Sequence, residues 1–214
     1  MSFLSLLFEQ PLLFVVLLAG FLIALSFHEM SHAWVGSLLG DPTAEEQGRL
    51  TINPLAHIDP MGLLLLLVAG FGYAKPVPYN PHRLSDPKWG PVYIAIAGPI
   101  SNLLLGFVAI VTYGLLFEKL GASNLLIVAL WFLAKVNIAL ALFNLVPLPP
   151  LDGSKILLHA LDRPQTRAAH TWFLQNGPYL LLIAIVLGIS NLVPVFGWIP
   201  VLSDAIFAGI LGWF

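Results

Sequence analysis

The chain has no cysteine, and only 9% of its 214 residues are charged. The first absence excludes disulfides and thiolate ligands, so any transition metal must be held by His, Asp or Glu. The second excludes an ordinary soluble domain, in which about a quarter of the residues carry charge. Nine Lys and Arg face eleven Asp and Glu, for a net charge of −2. No basic surplus therefore points to nucleic acid, and charge says little about other partners. No Lys or Arg precedes Arg49, so the apolar N-terminal run lacks the positive flank of a secretory signal and reads as an uncleaved first span. What is present is hydrophobic: 58% of residues, with a mean hydropathy of +0.90. The composition is that of an integral membrane protein, with no room left for an appended soluble domain.

Apolar runs at 11–39, 91–117 and 124–146 are each long enough for a hydrocarbon core, which needs about 20 helical residues. Those at 177–192 and 198–214 form a shorter final hairpin, and 154–172 reads as a polar connection with helical character. The run at 61–72 is too short to cross. If it dips and returns, Arg49, Lys75, Arg83, Lys88, Lys155, Arg163 and Arg167 share one side of the membrane with only Lys119 opposite, a strong positive-inside pattern. The re-entrant reading puts 40–60 and 73–90 in the cytoplasm. Residues 48–53 and 71–80 read as short strands that pair. The expected fold is an all-α polytopic membrane protein of five to six transmembrane helices with a short re-entrant segment and a small membrane-associated β element. It forms a single domain over 1–214, with a core at about 20–160 and the hairpin at 177–214.

Within the first span lies Phe21-Leu22-Ile23-Ala24-Leu25-Ser26-Phe27-His28-Glu29-Met30-Ser31-His32. Residues four apart share a helix face, so His28 and His32 can present imidazole nitrogens to one metal ion. Glu29 sits about 100° around the helix, beside the metal and within reach of its water. This is the H-E-x-x-H arrangement of zinc peptidases, set where ionisable groups are expensive and functional by default.

A catalytic zinc usually takes three protein ligands and keeps one open position. Asp152 is the best third group. It follows Pro147, Pro149 and Pro150, which forbid a regular helix, and precedes Gly153, which permits a tight turn. Irregular backbone at membrane depth survives only in protein or beside a water-filled cavity, and hydrolysis needs such a cavity. The alternative is that these prolines end a helix and Asp152 caps the next one.

HEMSH in the first span together with Asn144-Leu145-Val146-Pro147-Leu148-Pro149-Pro150-Leu151-Asp152-Gly153 resembles the site-2 protease family of intramembrane zinc metallopeptidases, peptidase family M50. Gly98-Pro99-Ile100-Ser101-Asn102, and Gly48-Arg49-Leu50-Thr51-Ile52-Asn53-Pro54 with His57-Ile58-Asp59-Pro60, resemble its compact bacterial and archaeal branch, without PDZ or CBS modules. The resemblance implies one Zn²⁺ per chain held by His28, His32 and Asp152, with Glu29 as general base. It also implies that Asn144 contacts the substrate backbone.

The expected function is cleavage of another protein in or near its transmembrane segment, at a cell-membrane site facing the cytoplasm. The partners are that substrate and the lipid bilayer. The competing class is a metal-ion or proton transporter with a buried His/Asp transit site, which does not explain Glu29. Asn102 and Gly98 read as helix-packing residues, and His57 and Asp59 as turn residues. Lys135 and Asn137 lie inside a span with no role assigned.

Overall fold

The computed structural model describes residues 4–190 and 192–214. Among them the helices are α1 (Ser5–Glu9), α2 (Pro11–Leu38), α3 (Thr43–Glu46), α4 (Pro60–Ala69), α5 (Gly90–Leu120), α6 (Leu125–Asn144), α7 (Gly153–Ala160), α8 (Arg167–Ile189) and α9 (Trp198–Leu211). Four helical segments are long and apolar enough to cross a membrane: α2, α5, α6 and α8 with the turn before it. α9, at 14 residues, is shorter. The protein is an all-α membrane protein.

Local chemistry sets the boundaries. Pro11 opens α2, where its missing N–H costs nothing. The side chains of Asn124 and Asp59 accept backbone N–H groups at the starts of α6 and α4. Gly70, at φ 71°, ends α4 in the left-handed conformation. α8 begins about ten residues before the expected span, because Pro178 stays inside the helix instead of opening it. Gly177 beside it lets α8 lie against Pro149, whose Cδ a Cβ at that position would meet at 2.5 Å.

α2, α5 and α6 pack on one another, and α9 leans on α5 and α6. Between lipid-bathed helices no hydrophobic force drives association, so close van der Waals fit must do so. Gly106 supplies it between α5 and α6: a Cβ there would sit 3.3 Å from Ile138 Cγ1. Ala109, Ile110, Ala134, Ile138 and Phe207 form the buried cluster that α9 closes.

α4 does not cross. Its 10 residues rise about 15 Å, half of a hydrocarbon core of about 30 Å. Its flanks meet in an antiparallel bridge between Ile58 and Ala74, so the chain enters and leaves at one level. Residues 71–80 return extended along α4, so close that a Cβ on Gly62 would fall 2.0 Å from the Tyr73 carbonyl oxygen.

The expected strand at 48–53 does not form, and among the described residues that bridge is isolated. Gly48 turns the chain at φ 68°, and Pro76 and Pro78 lack the N–H groups a ladder requires. The tie to 71–80 is made instead by a side chain. Arg49 donates from Nη1 to the Pro76 carbonyl (3.0 Å) and from Nη2 to the Lys75 carbonyl (2.5 Å). Asp41 holds the far end, accepting the Asn80 N–H at 2.5 Å.

Candidate metal centre

His28 lies ten residues before the end of α2 at Leu38, about 15 Å along a helix long and apolar enough to cross a membrane. His28, Glu29 and His32 are all buried. The two imidazoles meet edge to face, with ring centroids 4.6 Å apart. Each ring is held by its Nδ1. His28 Nδ1 donates to Asn102 Oδ1 on α5 at 2.6 Å, and His32 Nδ1 donates to the Ile94 carbonyl of the same helix at 2.7 Å. With the proton on Nδ1, each Nε2 keeps a lone pair for a metal.

Both lone pairs face Asp152. Its Oδ2 lies 3.1 Å from His28 Nε2 and 3.4 Å from His32 Nε2, and this buried oxygen has no hydrogen-bond partner. Two ligands of a tetrahedral zinc with bonds of about 2.0–2.1 Å stand about 3.3–3.4 Å apart. Asp152 Oδ2 stands near that spacing from both imidazole nitrogens, and an orphaned carboxylate oxygen beside two imidazoles is a donor set that fits a zinc ion. Asp152 also occupies the cap position of α7 but makes no side-chain capping bond there, which the capping alternative requires. Gly153 makes the turn possible, since a Cβ on it would lie 2.2 Å from the Leu145 carbonyl oxygen.

Donor atoms of Glu29 and the two histidines lie within 4.8 Å of one another, so two carboxylates approach the centre. Asp152 is in contact with both imidazoles, and Glu29 stands beside them. All five residues expected at the site line one cavity of about 640 Å³: His28, Glu29, His32, Asn144 and Asp152. Asn144 donates its amide to the Leu140 carbonyl at 3.0 Å, in the last turn of α6. The extended segment supplies one wall through Tyr73, Val77 and Tyr79, and α8 another through Leu181 and Leu182.

Three residues matter more than their sequence context implied. Asn102 is fully buried and holds the His28 ring by a hydrogen bond as well as packing helices. Asn137, also fully buried, supports Asn102 from α6. Gly98 provides room for the histidines: a Cβ there would lie 2.5 Å from His32 Nε2 and 2.6 Å from His28 Cε1. The signal for the two asparagines was an amide inside an apolar span, where an unpaired polar group costs several kcal/mol.

His57 and Asp59 stand outside the centre. Asp59 caps α4. His57 donates from Nε2 to the Thr51 carbonyl at 2.7 Å and accepts Arg49 Nη2 at Nδ1 across 3.3 Å. Burial pushes its imidazole below the ordinary value, against the pull of the Thr51 carbonyl and with help from the Arg49 charge. His57 is therefore a neutral acceptor that steadies Arg49.

The sequence profile of peptidase family M50 matches residues 16–183. A candidate zinc metalloprotease of Bacillus subtilis, YwhC, is 40% identical over 192 residues, covering 86% of this chain and 82% of YwhC. A candidate zinc metalloprotease of Mycobacterium tuberculosis, Rip2, is 33% identical over 173 residues, covering 75% of this chain and 64% of Rip2. The zinc metalloprotease MJ0392 of Methanocaldococcus jannaschii is 23% identical over 185 residues, 86% of this chain and 46% of that protein. No solved structure matches.

Proposed function

The chain belongs to peptidase family M50 and is a zinc metalloprotease of the membrane; from that premise we propose that it is an intramembrane endopeptidase, cutting a peptide bond within or near the transmembrane segment of another protein. The observation that carries this reading is the convergence of His28 Nε2, His32 Nε2 and the orphaned Asp152 Oδ2 beside a helix long and apolar enough to cross a membrane. These three are the zinc ligands, and residues 1–214 act as one catalytic domain. Bound zinc supplies Lewis acidity toward the scissile carbonyl and brings the pKa of water down to about 7.

The chain's own residues do the rest. Glu29 takes the proton of the attacking water and passes it to the leaving amine. Asn144, at the cavity wall, holds the substrate backbone near the scissile bond. A helical substrate hides its peptide bonds and must unwind. Residues 71–79 offer it an extended edge, because their other edge is already engaged by Ile58 and Arg49. The charge distribution supports a cell-membrane protein with its loops at 40–60 and 73–90 in the cytoplasm and its site toward that side.

Glu29→Gln tests the reading against a transporter. The variant should keep its zinc and lose cleavage of a model transmembrane substrate. Cleavage at the wild-type rate overturns the peptidase mechanism, since a transit site has no use for a general base.

A further inference from the structure

The two imidazoles at the centre are oriented by acceptors of different kinds. His32 Nδ1 faces a backbone carbonyl, that of Ile94. A carbonyl can only accept, so the proton sits on Nδ1 unconditionally. His28 Nδ1 faces the side-chain amide of Asn102, which has an accepting end and a donating end. With the wrong end forward, Asn102 would offer N–H groups to Nδ1, shift the His28 proton to Nε2 and remove the lone pair the centre needs.

The direction of that amide is set from behind. Asn102 Nδ2 donates to the Ala24 carbonyl at 3.0 Å and to Asn137 Oδ1 at 2.7 Å. Asn137 is also an amide and needs an anchor of its own. Its Nδ2 donates to the Leu133 carbonyl at 2.7 Å, which turns Oδ1 toward Asn102. The chain of bonds starts at a carbonyl that can only accept and runs through two fully buried amides to Nδ1 of His28, across the ring from the metal-facing Nε2.

We propose that Asn137 is a positioning residue for the metal centre: through Asn102, it fixes the tautomer of His28 and so the affinity for zinc. This rests on His28 being a ligand. Asn137 touches neither zinc nor substrate, and its influence must pass entirely through Asn102. Outer partners of this kind are worth about 10–100-fold in metal affinity.

The test is zinc affinity of the purified full-length protein, measured by competition with a chelator, with thermal unfolding of each variant recorded alongside. Asn102→Ala should weaken zinc by about 10–100-fold and Asn137→Ala by about tenfold. The double variant should bind no more weakly than Asn102→Ala alone, because residues acting through one another are not additive. Asn137→Asp keeps an oxygen toward Asn102 and needs no orienting bond, so it should stay within about twofold of wild type. Both Asn137 variants lose the bond to Leu133. Equal losses in the two would therefore mean a structural tether and overturn the proposal, as would additive losses in the double variant or wild-type affinity in Asn137→Ala. His28→Ala is the control for the underlying assignment: if it keeps wild-type zinc affinity, the ligand set fails, whereas loss there with unchanged Asn137→Ala defeats the relay alone.

Discussion

The three-helix unit of α2, α5 and α6 and the closing pair α8 and α9 meet the same apolar surroundings by different means. In the most apolar stretch of α5, 44% of residues are buried inside the protein, against 17% in that of the α8 span. The first unit carries His28, Glu29, His32, Asn102 and Asn137 in its interior, four of them joined by hydrogen bonds to another helix or by contact with Asp152. α9 is held by the Phe207 cluster and by one ion pair, Asp204 to Lys135 of α6. Lys135 Nζ also stands 5.9 Å from the centre of the Phe207 ring. Polar chemistry at membrane depth is concentrated where rigidity is required, and the outer helices shape the cavity without setting its chemistry. Buried amides cost too much to serve as general glue.

The sharpest way to break this contrast is to add one methyl group in each region. Gly98→Ala places a carbon about 2.5 Å from both imidazoles; neither the rigid helix nor the hydrogen-bonded rings can yield, so zinc and activity should both be lost. Gly209→Ala in α9 meets nothing within 4 Å and should leave zinc content and turnover unchanged. Metal analysis and cleavage of one substrate, run on the pair, decide it. Equal behaviour of the two would erase the distinction.

Next in size is Asn144→Ala. Removing an oxyanion donor costs about 10²–10³ in rate, and a substrate-backbone contact should cost less, about tenfold to a hundredfold. Zinc and melting temperature should hold while kcat/KM falls. A fall in activity that merely tracks melting temperature would return Asn144 to its bond with Leu140.

Arg49→Lys probes the brace behind the extended wall. Lysine cannot reproduce the fork that grips the Lys75 and Pro76 carbonyls, so KM should rise about tenfold, the worth of one to two hydrogen bonds. Zinc content should not change. A fall in kcat with KM constant would contradict a role in shaping the substrate wall.

The smallest effect belongs to α9. Lys135→Leu combined with Asp204→Leu removes both charges and should lower the melting temperature by about 2–4 °C for each kcal/mol lost. Zinc affinity and kcat should stay put. Loss of zinc in this variant would tie the closing helices to the centre after all.

Much of this was legible in the sequence because the expensive residues announce themselves. His28, Glu29 and His32 in an apolar helix, and Asp152 after three prolines, are hard to explain without a metal, and the structure brings all of them to one cavity. The shortness of the 61–72 run likewise matches a helix of only 10 residues at Pro60–Ala69. Other features were hidden for physical reasons. Gly98 looks like any small residue between helices, because only the position of the rings reveals what its missing Cβ makes room for. Asn102 and Asn137 are 35 positions apart, and no periodicity links two amides on different helices. The strand pairing of 48–53 failed because β-like composition says nothing about which N–H groups are free. Proline at 76 and 78 removed two of them, and Arg49 took the role a strand would have played.

The central claim is that His28, His32 and Asp152 together hold one zinc ion inside the membrane. The most direct measurement is the zinc content of purified wild type beside Asp152→Ala, whose side chain is the one ligand contributed from outside α2. One zinc per chain in wild type and its loss in Asp152→Ala is the predicted result. Stoichiometric zinc retained by a folded Asp152→Ala protein would contradict the claim.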